Sequence, residues 1–133
     1  MKIVLYANIF ISSFFWGGNP RKVLERAINK IDELLITKEI LNEIEEVLGR
    51  PKFHAGINEI EYYIRAIEEI AQKLAIKNKL KQGSRDSTDN KYIECAMAGG
   101  ADYIISDDTH LLEIGEYGTI RIVTAKEYLE IIR

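Results

Sequence analysis

Acidic side chains follow the predicted strands of this chain at the points where open α/β sheets bind their ligands. Asp107 and Asp108 come directly after one predicted strand, and Asn8 comes shortly after the first. Asp89 lies in the first turn of a predicted helix whose preceding loop reaches the same edge, and Glu43 lies one to two turns into the helix after the second strand. Because ligands bind outside the carboxyl ends of parallel strands, these five side chains form the candidate site.

Carboxylates gathered without histidine or cysteine favour a hard cation. Oxygen ligands suit Mg²⁺ or Mn²⁺ better than Zn²⁺, and such an ion can activate water and shield the charge on a phosphodiester. The chain has a net charge of −3 and a pI near 5.5, whereas proteins that bind nucleic acid by neutralising phosphates are usually basic. A nucleic-acid role therefore needs either a local basic patch or bound divalent ions.

Each of these acids also has a purely structural interpretation. Asp89 could be a first-turn charge that the helix dipole favours, and either Asp107 or Asp108 could cap the following helix. Glu43 flanks an apolar helical stripe, but so does Glu45, and helical geometry does not choose between them. Spacing alone therefore leaves both the metal site and the structural roles open.

The elements that would position these residues alternate between strand-like and helix-like segments. Lys2 to Tyr6 is a near-continuous apolar run, as expected for a strand buried on both faces, and a loop containing Gly17 and Gly18 follows it. Asn58 and Glu61 have the spacing of a capping box. The patterns predict further strands at 34–36, 102–106 and 120–123, with a weak one at 75–76, and helices from Pro20 and at 38–48, 59–74, 88–98, 109–114 and 125–132. Strands separated by helices indicate a mostly parallel sheet covered on both faces.

Composition is consistent with one globular domain spanning residues 1–133. The 133 residues are 47% hydrophobic, which can fill a core without disulfides, and Cys95 is the one cysteine. The apolar segment from Ile3 to Phe15 is too short to span a membrane, so we expect a cytoplasmic protein.

Three stretches resemble the PIN-domain family, and within it the VapC-like ribonuclease group described as toxin components of toxin–antitoxin systems. They read KIVLYANIFISSFFWGGNPRKVLE, LLITKEILNEIEEVLGRPKF and RDSTDNKYIECAMAGGADYIISDDTHLLEIGEYGTIRIVTAKEYLEI, and the last is the most specific. The resemblance implies a three-layer α/β/α sandwich around a mostly parallel sheet and an Mg²⁺- or Mn²⁺-dependent endoribonuclease. By motif position it implies Glu43, Asp89 and Asp108 as catalytic metal ligands, with Asn8 in support. It also implies RNA as substrate, an antitoxin partner and a homodimer.

One departure from the family pattern lies at the end of the first strand. The family has strand-Asp-Thr-Asn there, whereas this chain has Tyr6, Ala7 and Asn8. A phenol with an ordinary pKa of about 10 stays protonated at neutral pH and is a poor ligand for Mg²⁺. With Asp107 as an additional ligand, the remaining acids could still hold one ion. We therefore expect weakened metal affinity and weakened or absent cleavage.

The remaining signals leave several alternatives open. Lys91 and Arg85 are candidate contacts for RNA phosphates. For the aromatic run Phe14 to Trp16, we expect packing or a dimer contact in preference to stacking on RNA bases. The alternative function is a catalytically degenerate PIN domain that binds RNA or protein, and Tyr6 is its main support. A nucleotide-binding doubly wound domain is disfavoured, because no glycine-rich turn directly follows the first strand.

Overall fold

A six-stranded sheet forms the centre of the computed structural model, which describes residues 1–77 and 89–133. The strands in those ranges are β1 Lys2–Leu5, β2 Glu33–Thr37, β3 Gln72–Leu74, β4 Tyr103–Ile105, β5 Glu116–Tyr117 and β6 Ile120–Val123. Their order across the sheet is β3-β2-β1-β4-β6-β5. Neighbouring strands are parallel, except that β5 runs antiparallel to β6.

Helices flank this sheet and connect its parallel strands. In the described part of the chain they are α1 Ala7–Phe15, α2 Gly18–Ile28, α3 Lys38–Leu48, α4 Ile57–Ile70, α5 Asn90–Gly99, α6 Thr109–Ile114 and α7 Ala125–Ile131, with a short 3-10 helix at Pro51–Phe53. None of these helices is both long and apolar enough to cross a membrane. The predicted α/β class with a mostly parallel, helix-flanked sheet is confirmed.

The central strands are buried because both of their faces are covered. In β1, β2 and β4 nearly every side chain is excluded from solvent, which explains their continuous apolar runs. Leu5 of β1 pairs with Ile105 of β4, and the Tyr6 amide donates to the Ile105 carbonyl oxygen at 2.9 Å. The carboxyl ends of β1 and β4 therefore lie side by side, and the residues that follow them share one edge.

Local capping determines where several helices begin. The Thr37 hydroxyl accepts from the Ile40 amide at the start of α3. Thr124 and Glu127 form a reciprocal capping box at the start of α7. These caps set the orientation with which α3 and α7 leave the sheet.

Four sequence predictions about these elements are wrong. The segment after β1 is the helix α1 rather than a loop, and α2 begins at Gly18, with Gly17 as its N-cap, rather than at Pro20. The predicted helix 59–74 ends at Ile70, and its last residues instead pair with β2 as β3. The N-cap of that helix, α4, is Gly56 and not Asn58. The extended residues 72–74 gain hydrogen bonds from β2, and these outweigh the helical pattern of the sequence.

Candidate functional site

Four helix starts bring the predicted site residues to the edge formed by the carboxyl ends of β1 and β4. Tyr6 is the N-cap of α1, Asp89 of α5 and Asp108 of α6, and Glu43 lies in the second turn of α3. α1, α3 and α6 begin directly or shortly after β1, β2 and β4, so their first two turns lie at this edge, and the hydrogen bond between Tyr92 and Ala7 brings the start of α5 there. The topology therefore explains why residues far apart in sequence meet here.

Tyr6 lies at the centre of this group. Burial raises the pKa of its phenol well above the ordinary value, and the charges of Asp108, Asp89 and Glu43, with hydrogen bonding to Asp108, raise it further. The phenol is therefore neutral at physiological pH. Its ring lies 4.5 Å from that of Tyr92, centroid to centroid. The charges of three predicted acids thus reach the side chain that stands where the family has an aspartate.

Glu43 is held by two donors from the start of α5. The Tyr92 hydroxyl donates to Glu43 Oε1, and the Lys91 ammonium lies 3.2 Å from the same oxygen. The Tyr92 hydroxyl also accepts from the Ala7 amide at 3.2 Å, which ties this contact to α1. Burial and the charge of Glu43 raise the pKa of the Tyr92 phenol. Of the two glutamates that the sequence left open, Glu43 is the one that points into the site, whereas Glu45 is exposed.

Asp108 has the capping role that its position allowed. Its Oδ1 accepts from the amides of His110 at 2.8 Å and Leu111 at 3.2 Å, and its own amide donates to Ser106 Oγ at 2.8 Å. The carboxylate therefore caps α6 and at the same time faces Tyr6. The structural and functional interpretations of this residue apply together.

The other predicted residues differ in their surroundings. Asp89 is 1% exposed, and its side chain makes no cap bond to α5, although its charge acts on Tyr6. Asp107 is exposed as a residue, yet partial burial of its carboxyl raises its pKa. The Asn8 side chain has a buried Oδ1 without a hydrogen-bond partner in the described part of the chain. Such an oxygen is costly unless something binds it.

The fit of this edge to a divalent ion can be judged from its contacts. The donors are carboxylates, the chemistry that Mg²⁺ and Mn²⁺ prefer. Within residues 1–77 and 89–133, however, no three His, Cys, Asp or Glu side chains are grouped so that they could hold a metal ion. Glu43 is engaged by Lys91 and Tyr92, and Asp108 by the α6 amides. In this arrangement the residues do not fit the ion, and the metal set Glu43, Asp89, Asp107 and Asp108 stays a prediction.

The two predicted RNA contacts have different outcomes. Arg85 lies outside the described residues. The Lys91 ammonium is paired with Glu43, and its side chain is only 18% exposed, so little of it is open to a phosphate. Sequence reasoning also missed Tyr92, although its place directly after Lys91 in the DNKYIE segment was a usable signal.

The family assignment follows from a comparison with family models. The model described as "PIN domain" matches residues 2–110, which is most of the chain and includes every candidate site residue. This chain belongs to the PIN-domain family. The resemblance to the PIN-domain family is therefore confirmed.

Comparison with solved structures supports the PIN fold independently. The crystal structure of VapBC2 from Rickettsia felis bound to a DNA fragment from their promoter matches with a TM-score of 0.62 at 13% identity, covering 92% of this chain and 97% of that one. At this identity the likeness shows the fold alone. No curated protein matches the chain. PIN domains of the VapC type generally use divalent metals.

Proposed function

We propose that this chain is a PIN-domain component of a toxin–antitoxin pair whose nuclease site is degenerate, so that it acts by binding a protein partner. The observation that carries the proposal is the group around Tyr6: a neutral phenol stands where the family has an aspartate, and the acids around it already have protein partners. A buried carboxylate that gives up such partners for a metal loses their hydrogen bonds first.

A surface suited to a protein partner lies at the end of α1. Phe14 stacks on Tyr63 with ring centroids 4.1 Å apart, and Phe15 stacks on Phe53 at 5.1 Å, which supports the packing role expected for these two residues. Trp16 and Tyr62 continue this aromatic surface but are 71% and 70% exposed. Exposed aromatic residues of this kind are enriched at protein interfaces. An antitoxin-like protein is the partner we propose, and the Rickettsia felis structure is itself of a VapBC2 pair.

A second candidate is the active enzyme: a VapC-like endoribonuclease that hydrolyses RNA with Mg²⁺ or Mn²⁺ held by Glu43, Asp89 and Asp108. Two observations favour it. The charges of all three acids raise the pKa of Tyr6, so each lies in its neighbourhood, and the Asn8 Oδ1 is buried without a partner in the described residues. On this reading the protein cleaves weakly, because Tyr6 cannot replace a carboxylate ligand.

Cleavage of a labelled structured RNA in Mn²⁺ or Mg²⁺ separates the two candidates. The proteins to compare are the parent, Tyr6→Asp and Tyr6→Phe, which keeps the ring but removes the hydroxyl. We expect no cleavage by the parent or Tyr6→Phe. Cleavage should rise at least roughly tenfold above background in Tyr6→Asp, the lower end of what changes around a metal ligand cost.

A double variant controls for contaminating nuclease. Adding Asp108→Asn to Tyr6→Asp should remove the recovered cleavage if it belongs to this edge. Metal-dependent cleavage by the parent that disappears in Asp108→Asn would reject the degenerate site and establish the enzyme.

A further inference from the structure

The ion pair between Lys91 and Glu43 lies largely out of solvent. The side chains are 18% and 23% exposed, and they connect the first turn of α5 to the second turn of α3. Salt screens a partly buried pair of this kind much less than a surface pair. Removing one partner also leaves the other charge buried without compensation. We therefore expect the ion pair between Lys91 and Glu43 to persist in the folded protein.

Hydroxyl donors complete this arrangement. Tyr92 donates to the same Glu43 oxygen that faces Lys91, and it accepts from the Ala7 amide at 3.2 Å. Any cation that binds Glu43 Oε1 would have to displace both an ammonium and a hydroxyl. On the other side of the edge, Tyr6 interacts with Asp108 and packs against the Tyr92 ring. The two halves of the edge are thus joined through a pair of tyrosines.

We infer that Lys91, with the hydroxyls of Tyr6 and Tyr92, takes the place of the divalent cation at this edge, so that Glu43 is paired with a positive charge from within the chain. Lys91 supplies the positive charge, and the two tyrosines supply the donors that a hydrated ion would otherwise provide. This inference deepens the proposed function, because it names what replaces the metal at the same edge. Glu43 then serves to pin α3 to α5 rather than to bind an ion.

Titration of the full chain with Mn²⁺ tests the inference without RNA. Binding is measured by calorimetry, and stabilisation is measured by thermal unfolding. The parent and Lys126→Met, a matched loss of an exposed lysine on α7, should show no Mn²⁺-dependent rise in Tm. Lys91→Met should lower the metal-free Tm by several degrees, because it leaves the Glu43 carboxylate without its cation.

The double variant Tyr6→Asp with Lys91→Met adds a carboxylate in place of the phenol and removes the competing ammonium, so it should bind a metal ion best. It should bind Mn²⁺ and gain at least about 5 °C in Tm at saturation, more than Tyr6→Asp alone. Two results would overturn the inference: a Mn²⁺-dependent stabilisation of the parent that Glu43→Gln abolishes, or a double variant that gains no more than Tyr6→Asp. If Lys91→Met does not fold, the titration of the parent still decides.

The inference and the proposed function fail in different ways. Metal-dependent RNA cleavage by the parent that Asp108→Asn abolishes would reject both, because a metal ion would then act at this edge. Mn²⁺-dependent stabilisation of the parent without RNA cleavage would reject the role of Lys91 only.

Discussion

Tyr92 joins three helices through one hydroxyl. It accepts from the Ala7 amide of α1, donates to Glu43 of α3 and belongs itself to α5. The side chain is fully buried, so water cannot replace either hydrogen bond when the hydroxyl is removed. Its contribution is therefore larger than that of an exposed tyrosine.

Replacement of Tyr92 by phenylalanine tests this role. Tyr92→Phe leaves the Ala7 amide without its acceptor and Glu43 with one donor fewer, so we expect the free energy of unfolding to fall by about 1–3 kcal/mol. Urea unfolding followed by circular dichroism measures the change. Tyr62→Phe, at a position 70% exposed, is the control and should change stability little. Equal stability of both variants would mean that the Tyr92 hydroxyl makes no measurable contribution to the free energy of unfolding.

Sequence reasoning at the residue scale predicts the positions of the site residues but not their partners in the fold. The motif placed Glu43, Asp89 and Asp108 together, and the structure shows that all three act on Tyr6. The pairing of Lys91 with Glu43 joins residues 48 positions apart in the chain, which no local pattern reveals. The position of Lys91 next to the acids of its segment predicts an RNA contact, because the glutamate with which it pairs lies on another helix, far away in the sequence.

Elements with strong periodicity were predicted well, and those set by tertiary contacts were not. The bounds of α3 and α6 match the prediction to the residue, because caps and apolar spacing coincide there. In α1 apolar side chains occur nearly all round, so the 3.6-residue period is hidden, and its burial against α2 and α3 appears only in the fold. β3 likewise exists because β2 offers it hydrogen bonds.

Close packing of α5 on the sheet requires Gly99. A Cβ atom built there would overlap Leu35 Cδ1 of β2 and would lie 2.7 Å from Leu74 Cδ1 of β3. Leu35 is buried, so it has little room to move aside. This glycine therefore sets the distance at which α5 presents Asp89 and Lys91 to the edge.

The variant Gly99→Ala tests this contact. Overpacking of this kind should lower the free energy of unfolding by about 1–3 kcal/mol. The measurement is the urea midpoint, compared with Gly49→Ala, where an added Cβ would be 3.5 Å from the nearest backbone oxygens, an ordinary contact. An unfolding midpoint of Gly99→Ala within error of Gly49→Ala would show that α5 can shift without cost.

At the scale of the whole molecule, a buried carboxylate links several elements near the amino ends of β1 and β2, opposite the candidate site. Asp32, just before β2, is 3% exposed and accepts from Arg26 of α2 at 2.8 Å and from the Tyr128 hydroxyl of α7 at 2.8 Å. The terminal amine of Met1 lies 3.4 Å away. One side chain thus holds α2, α7 and the start of β1 together. The candidate site at the other edge depends on this frame, because α1 packs on α2.

The pH dependence of stability follows from these contacts. Burial alone would raise the pKa of Asp32, but the hydrogen bonds from Arg26 and Tyr128 and the charge of Arg26 outweigh it, so the pKa lies below its ordinary value. A carboxyl whose folded pKa is lowered adds stability above its unfolded pKa of about 3.9. That stability is lost as the pH falls through the lowered folded pKa.

Thermal unfolding of the parent, Asp32→Asn and the exposed neighbour control Glu33→Gln from pH 7 down to pH 2 tests this account. At pH 7 the amide loses the ion pair with Arg26, so Asp32→Asn should be less stable than the parent by roughly 2–3 kcal/mol. The difference should shrink as the pH falls below about 4, because the unfolded parent then takes up a proton at Asp32, and the folded parent loses the ion pair at a lower pH still. Glu33→Gln should follow the parent throughout. A difference of equal size at pH 7 and pH 2 would mean that Asp32 acts through its shape and hydrogen bonds rather than its charge.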